Sequence, residues 1–191
     1  YCDFNSHVAT GVDQRRWQNA YLSEIERLGQ QTPGRILDTV FFGGGTPSLM
    51  EPGLVAAILE KICSTWRSRN DPEVTLEANP GSVEAGRFQA YRDAGVNRIS
   101  MGMQAMNDDD LRNLGRRHTT EDARNAFDIA RRCFDRVSFD LIYARQDQTL
   151  VAWRDELTRA LTLAVDHLSL YQLTIEDGTA FADRLARGGL L

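Results

Sequence analysis

The sequence predicts an α/β fold in which parallel strands alternate with crossover helices. Three observations predict it. Short runs rich in strand formers alternate with longer stretches whose apolar residues recur at helical spacing. The connections are short, with no linker or low-complexity stretch between elements. Glycine, amide and carboxylate residues gather just after the strand-like runs, where α/β proteins collect their ligands. Strict alternation requires parallel pairing, and an open doubly wound sheet and a closed barrel both satisfy it.

Taken in order, Trp17, Tyr21, Ile25 and Leu28 recur at helical spacing from Asp13 to about Gly29, and Pro33-Gly34 ends that helix. Ile36 to Phe42 reads as a strand stopped by three glycines. Leu54, Ile58, Ile62 and Trp66 mark a helix after Pro52. Glu73 to Ala78 alternates as a strand and stops at Asn79-Pro80-Gly81. Val83 to about Ala94 reads as a helix, and Asn97 to Met101 as the next strand. Asn107-Asp108 can cap one helical stretch, and Thr119-Thr120 with Glu121 opens another through Phe127 and Ala130. Val137 to Tyr143 is strand-like. Leu150, Trp153, Leu157 and Leu161 define a further helix, and His167 to Leu173 gives a last strand before Asp177-Gly178.

Composition bounds the function. A chain of 191 residues suits one domain, and 42% hydrophobic with 26% charged residues is an ordinary globular balance. No apolar run approaches the ~18 residues of a membrane span, and no basic segment followed by an apolar stretch marks secretion, so a cytoplasmic setting is expected. The net charge is −5, and Lys61 is the only lysine among arginines scattered between acids, which argues against a nucleic-acid footprint. Cys2, Cys63 and Cys133 are far apart and form no CxxC pair. Cys63 and Cys133 lie in helical patterns and read as small core hydrophobes. The chain opens on Tyr rather than Met, and residues upstream of it are expected.

The residues at the strand ends are Gly43-Gly44-Gly45-Thr46, Glu77 and Asn79, Gln104, Asp140 and Tyr143, and Tyr171 and Gln172. Their convergence on one mouth carries more weight than any of them alone. Three glycines expose backbone to a polar ligand, Pro47 fixes the exit of the turn, and the loop matches neither phosphate-binding fingerprint. A buried Glu77 must be paired: as an acceptor-only group it can take two ribose hydroxyls, or it can pair with Arg98 as a structural partner. Asp140 carries the same two readings. Gln104 can donate and accept, which suits an amino-acid or adenine edge, or can tie loops together. Arg116 can clamp a carboxylate bidentately or sit in a surface salt bridge. His118 and His167 have no second histidine at ligand spacing and read as structural. His7 reads as loop, and Asp108-Asp109-Asp110 as helix-terminal acids.

Seven segments together resemble one family. They are Tyr-Cys-Asp-Phe-Asn-Ser (1–6), Phe-Phe-Gly-Gly-Gly-Thr-Pro-Ser (41–48), Leu-Glu-Ala-Asn-Pro (76–80), Asn-Arg-Ile-Ser-Met-Gly-Met-Gln (97–104), Leu-Gly-Arg-Arg-His (114–118), Asp-Leu-Ile-Tyr (140–143) and Leu-Ser-Leu-Tyr-Gln-Leu-Thr-Ile-Glu (168–176). In this order they resemble the oxygen-independent coproporphyrinogen III oxidase family of radical S-adenosylmethionine (SAM) proteins. Within it, they are most similar to the HemW branch of heme chaperones. The resemblance implies a partial (β/α)6 TIM-type barrel lacking its first strand. Residues 1–191 would be a radical SAM core domain, with the N-terminal cluster segment and a C-terminal domain outside them. It implies a [4Fe–4S] cluster on three cysteines of a C-x-x-x-C-x-x-C motif, of which Cys2 would be the third. SAM would lie against Tyr1, the glycine loop at Gly44, Gly45 and Thr46, and Glu77, Gln104, Arg116 and Asp140. In the family, reductive cleavage of SAM yields a 5′-deoxyadenosyl radical. Heme or a porphyrinogen is implied as the further ligand, with an electron donor and heme-accepting proteins as partners.

Three departures from the family pattern stand out. Cys2 is the only one of the three cluster cysteines in the sequence. The decarboxylating branch carries a cysteine two residues after the third, where this chain has Phe4, which favours the HemW-like reading over a porphyrinogen decarboxylase. The family's Asp-Leu-Ile-Tyr-Gly-Leu-Pro becomes Asp140-Leu-Ile-Tyr-Ala-Arg-Gln146, which predicts a reshaped loop before Gln148-Thr149 resumes the pattern. A degenerate barrel acting as a scaffold is the third reading.

Overall fold

The structure, a computed structural model, describes residues 1–2, 11–81, 85–164 and 167–189. In chain order the elements are α1 (Gln14–Gln31), β1 (Ile36–Phe42), a 3-10 turn (Pro47–Leu49), α2 (Pro52–Thr65), β2 (Arg67–Ala78), α3 (Phe88–Asp93), β3 (Arg98–Gln104), α4 (Asp108–Asn113), α5 (Thr120–Cys133), β4 (Arg136–Tyr143), α6 (Leu150–Leu163), β5 (Leu168–Gln172) and α7 (Ala180–Ala186). The five strands pair in sequence order, every pair parallel. They curl into a half-barrel, which decides between the open sheet and the barrel left open by the alternation.

Local chemistry sets the boundaries. Asp13, Asn107, Thr119, Thr149 and Thr179 each accept a backbone N–H of the first turn of the helix they precede. Thr119 forms a reciprocal capping box with Asp122. Pro47 and Pro52 sit in first turns, where a missing N–H costs nothing.

The strands separate apolar from polar side chains by their period of two. Leu76, Ala78, Ile99, Met101, Met103, Val137, Phe139 and Leu141 are buried on the outer face against Val55 and Leu59 of α2, Phe88 and Tyr91 of α3, and Ala126, Phe127 and Ala130 of α5. The alternate positions, Thr75, Glu77, Arg98, Ser100, Gly102, Ser138 and Asp140, face the other way. The core is therefore outside the barrel and the concave face is polar, whereas closed barrels usually fill that space with branched aliphatics.

Several expectations change. β2 begins at Arg67 rather than Glu73, because Arg67 and Ser68 pair with Ile36 and Leu37 through backbone alone before a register shift. The Val83 end of the third expected helix, together with Phe4 and His7, lies outside the described residues. Cys63 is exposed rather than a core residue, because it falls on the solvent side of α2. Cys133 is partly buried and packs against the core as expected.

Candidate functional site

A cavity of about 480 Å³ opens at the carboxyl ends of the strands, within the usual size of a small-molecule site. Tyr1, Cys2, Gly44, Gly45, Thr46, Glu77, Gln104, Arg116 and Asp140, the residues singled out by the sequence, all line it. Asn79, Tyr171 and Gln172 do so as well. Tyr143 does not: its place on β4 turns it to the outer face, where it stacks on Trp153 at 5.4 Å.

The glycine loop is fixed from below. Tyr91 of α3 is fully buried, and its hydroxyl lies 2.7 Å from the Ser48 carbonyl and 2.6 Å from that of Met50. Above this anchor, the Gly44 N–H donates to Glu77 Oε2 at 3.2 Å. Gly44 adopts φ 123°, a conformation that side chains avoid, and a Cβ on Gly43 would strike the Phe41 ring at 2.8 Å. The two glycines thus bring bare backbone up to the Glu77 carboxylate. Thr46 turns its hydroxyl to the Gly45 carbonyl at 2.6 Å.

The Glu77 carboxyl is pushed above the usual range by burial, opposed by the Gly44 N–H and reinforced by the charge of Asp140. The expected structural partner for Glu77 was Arg98, but Arg98 pairs with Glu73 at 3.3 Å, two inward positions lower on β2. Glu77 keeps its free oxygen toward the cavity. Asp140 is likewise raised by burial, while hydrogen bonds from Ser169 and Ser100 and the charges of Arg116 and Arg98 pull it down.

Gln104 ends β3 with φ 71° and is almost buried. A non-glycine residue held there at a cavity is a strained position of the kind found at binding sites. Arg116 reaches back from the loop after α4, donates to Asn79 Oδ1 at 3.2 Å, and lies 5.7 Å from the centre of the Tyr1 ring. Its Nε is buried with no protein partner, and the residue lines the cavity. Tyr1 packs edge-on against Phe181 of α7 at 6.1 Å, and burial raises its phenol pKa.

The remaining readings resolve simply. His118 Nε2 lies 3.2 Å from the Met103 carbonyl and its pKa is lowered by burial, a structural role. Asp108 accepts from the Thr120 N–H at 2.8 Å, and Asp109 pairs with Arg112. Arg145, in the reshaped loop, is buried against Asp110 and Glu156, and Ala144 before it has φ 56° where the family pattern has glycine. Sequence reasoning missed Ser100, Gly102 and Glu176 as cavity residues. The signal for the first two was available, since they precede Gln104 by four and two positions on one face of a strand.

A glycine loop, paired inward carboxylates and a strand-end amide around one mouth of a parallel half-barrel define a class. The sequence profile of the Radical SAM superfamily matches residues 1–156, and the chain belongs to that superfamily. It is 41% identical over 191 residues to "Radical S-adenosyl methionine domain-containing protein 1, mitochondrial" of Bos taurus, covering all of this chain and 43% of that protein. It is 40% identical over 189 residues to "Heme chaperone HemW" of Escherichia coli K12, covering 96% of this chain and 49% of that one. The solved coproporphyrinogen III oxidase HemN of Escherichia coli superposes with a TM-score of 0.81 at 26% identity, over 96% of this chain and 43% of that one. The chain thus spans about half the length of the curated relatives it matches.

Proposed function

We propose that this chain is the SAM-binding core of a HemW-like heme-handling protein. The observation that carries the reading is the single cavity in which all the expected ligand positions meet. Its donors and acceptors complement SAM group by group. Glu77 offers a carboxylate oxygen to ribose hydroxyls, and the bare backbone of Gly44 and Gly45 admits the methionine part. Gln104 can both donate and accept at a polar edge. Arg116 brings a guanidinium to the cavity wall that can take a carboxylate.

The cluster fits only in part. Cys2 lines the cavity with an exposed thiol, but no three His, Cys, Asp or Glu side chains come together as a metal site among the described residues. Cys2 is one thiolate ligand for a [4Fe–4S] cluster and the described residues do not complete the set. What they do is bind and orient SAM: Glu77 and Asp140 accept from its donors, and Arg116 and Tyr1 close one wall. The HemW-like branch rests on the similarity to HemW and on Phe4, with heme as the cargo and electron donors and heme-accepting proteins as partners. A cytoplasmic setting accords with free cysteine thiols, and no helix among the described residues is long and apolar enough to cross a membrane.

Calorimetric titration with S-adenosylhomocysteine tests the cavity. The chain should bind, and Glu77→Gln should weaken binding by about tenfold or more, the loss of a charged hydrogen-bond acceptor. Unchanged affinity in Glu77→Gln would remove Glu77 from the site. In a version of the protein that carries all three cluster cysteines, heme addition followed by its Soret absorption tests the branch, and porphyrinogen decarboxylation without heme binding would favour the oxidase reading.

A further inference from the structure

The polar lining of the half-barrel continues below the cavity. Arg98 stands beside Arg136, and Ser100 beside Ser138, in the parallel register of β3 and β4. Arg98 Nη2 donates to Ser138 Oγ at 3.0 Å. Ser138 Oγ lies 3.3 Å from Ser100 Oγ, and Ser100 Oγ lies 3.5 Å from Asp140 Oδ1. Ser138 is fully buried and Ser100 nearly so. At the lower end, Glu73 holds Arg98 at 3.3 Å and Arg136 at 3.2 Å.

The direction of this row is forced from below. A guanidinium has donors only, so the Ser138 oxygen must accept from Arg98 and its own proton turns to Ser100. Ser100 then turns its proton to Asp140, the one group in the row that can end it as a pure acceptor. Each hydrogen bond polarises the next, more strongly in a buried setting than in water.

We propose that Arg98 is a positioning residue for Asp140: through the hydroxyls of Ser138 and Ser100 it holds the Asp140 carboxylate as an ionised acceptor facing the cavity. The acceptor offered to a ligand at the top of the half-barrel thereby depends on a cation near its bottom. The ligand's part in this rests on the proposed function, whereas the row of hydroxyls can be tested with no ligand present. The other groups facing Asp140 are Arg116 from the loop after α4, Glu77 of β2, Ser169 of β5 and the Tyr1 phenol.

The test is a carbon-13 NMR titration of aspartate carboxyl groups in the ligand-free chain, with the Asp140 signal assigned from Asp140→Asn. Ser138→Ala interrupts the row while leaving every charge in place. It should raise the Asp140 midpoint by about 0.3 pH unit or more, because the Ser100 hydroxyl that donates to the ionised form loses the donor that polarises it. Arg98→Met should raise it at least as far, and Arg98→Lys should restore it to within about 0.3 unit of wild type. Arg136→Met removes a cation on the same Glu73 outside the row and should leave the midpoint within that range. A Ser138→Ala midpoint within about 0.3 unit of wild type, or a shift from Arg136→Met as large as from Arg98→Met, would overturn the proposal. Ser138→Ala is a small change that keeps the test open if Arg98→Met does not fold. A chain that bound no S-adenosyl ligand would defeat the proposed function and leave these shifts standing.

Discussion

Arg145→Leu removes a cation whose side chain is 5% exposed and lies 2.6 Å from both Asp110 and Glu156. Asp110 is 27% exposed and can turn to water, but Glu156 is only 2% exposed. After the substitution Glu156 keeps the Met106 N–H at 2.7 Å and Gln148 Nε2 at 2.9 Å, two neutral donors for a buried charge. Removing one partner of a buried ion pair costs about 3–5 kcal/mol. The two surviving hydrogen bonds place this case at the lower end, about 3 kcal/mol. For a domain of this size that lowers the melting temperature by about 6–12 °C. Adding Glu156→Gln to Arg145→Leu removes the stranded charge and should recover about 2 kcal/mol. Urea unfolding of the wild type, both single variants and the double variant gives the cycle. A cost below about 1 kcal/mol for Arg145→Leu, or no recovery in the double variant, would refute a buried charge pair as the reason this loop holds its shape.

Ala144→Gly should stabilise the chain by about 0.5 kcal/mol in the same assay, since φ 56° strains a residue with a Cβ more than glycine's extra unfolded freedom costs. In Gly102→Ala the new methyl would sit 2.8 Å from Gln104 Nε2 and 3.3 Å from Arg116 Nη2, the far ends of flexible side chains. Stability should change by less than about 1 kcal/mol, while S-adenosylhomocysteine affinity, read by calorimetry, drops by about tenfold as both groups are displaced. Glu77 and Asp140 have pKa values raised by burial, so the folded state holds their protons more tightly than the unfolded chain. Their contribution to stability is present below the unfolded carboxyl values near 4 and is lost as pH rises through the raised folded values. Ligand affinity should run the opposite way, falling on acidification through the same window, and paired unfolding and binding curves across it check both signs.

Much of this was legible in the sequence, and the reasons differ by element. The strand at Ile36 to Phe42 matched residue for residue, because an apolar run stopped by three glycines leaves little freedom at its end. The cavity residues were legible because parallel strands place their carboxyl ends together whatever the curvature of the sheet. The first part of β2 was not, since only Arg67 and Ser68 pair there, through backbone, and the stretch to Asp71 shows no side-chain pattern. Nor was α7, seven residues long and too short for a periodicity to declare itself. The burial of Arg145 was hidden for another reason: a loop arginine reads as solvent-facing until Glu156, eleven residues on, is known to sit beneath it. Arg98 as a partner for Glu77 failed on register, because Glu73 reaches it first.

The concave face has a consequence for how such a chain can change. Most of the large apolar side chains of β2, β3 and β4 serve the outer layer, with Ile142 the exception on the cavity side, so the inner positions of these strands carry little of the folding free energy that comes from excluding water. Water can stand where a ligand would, and the half-barrel needs no lid to persist. Reaction chemistry can then be rewritten from the inside, one strand position in two, while the scaffold that aims it stays as it is.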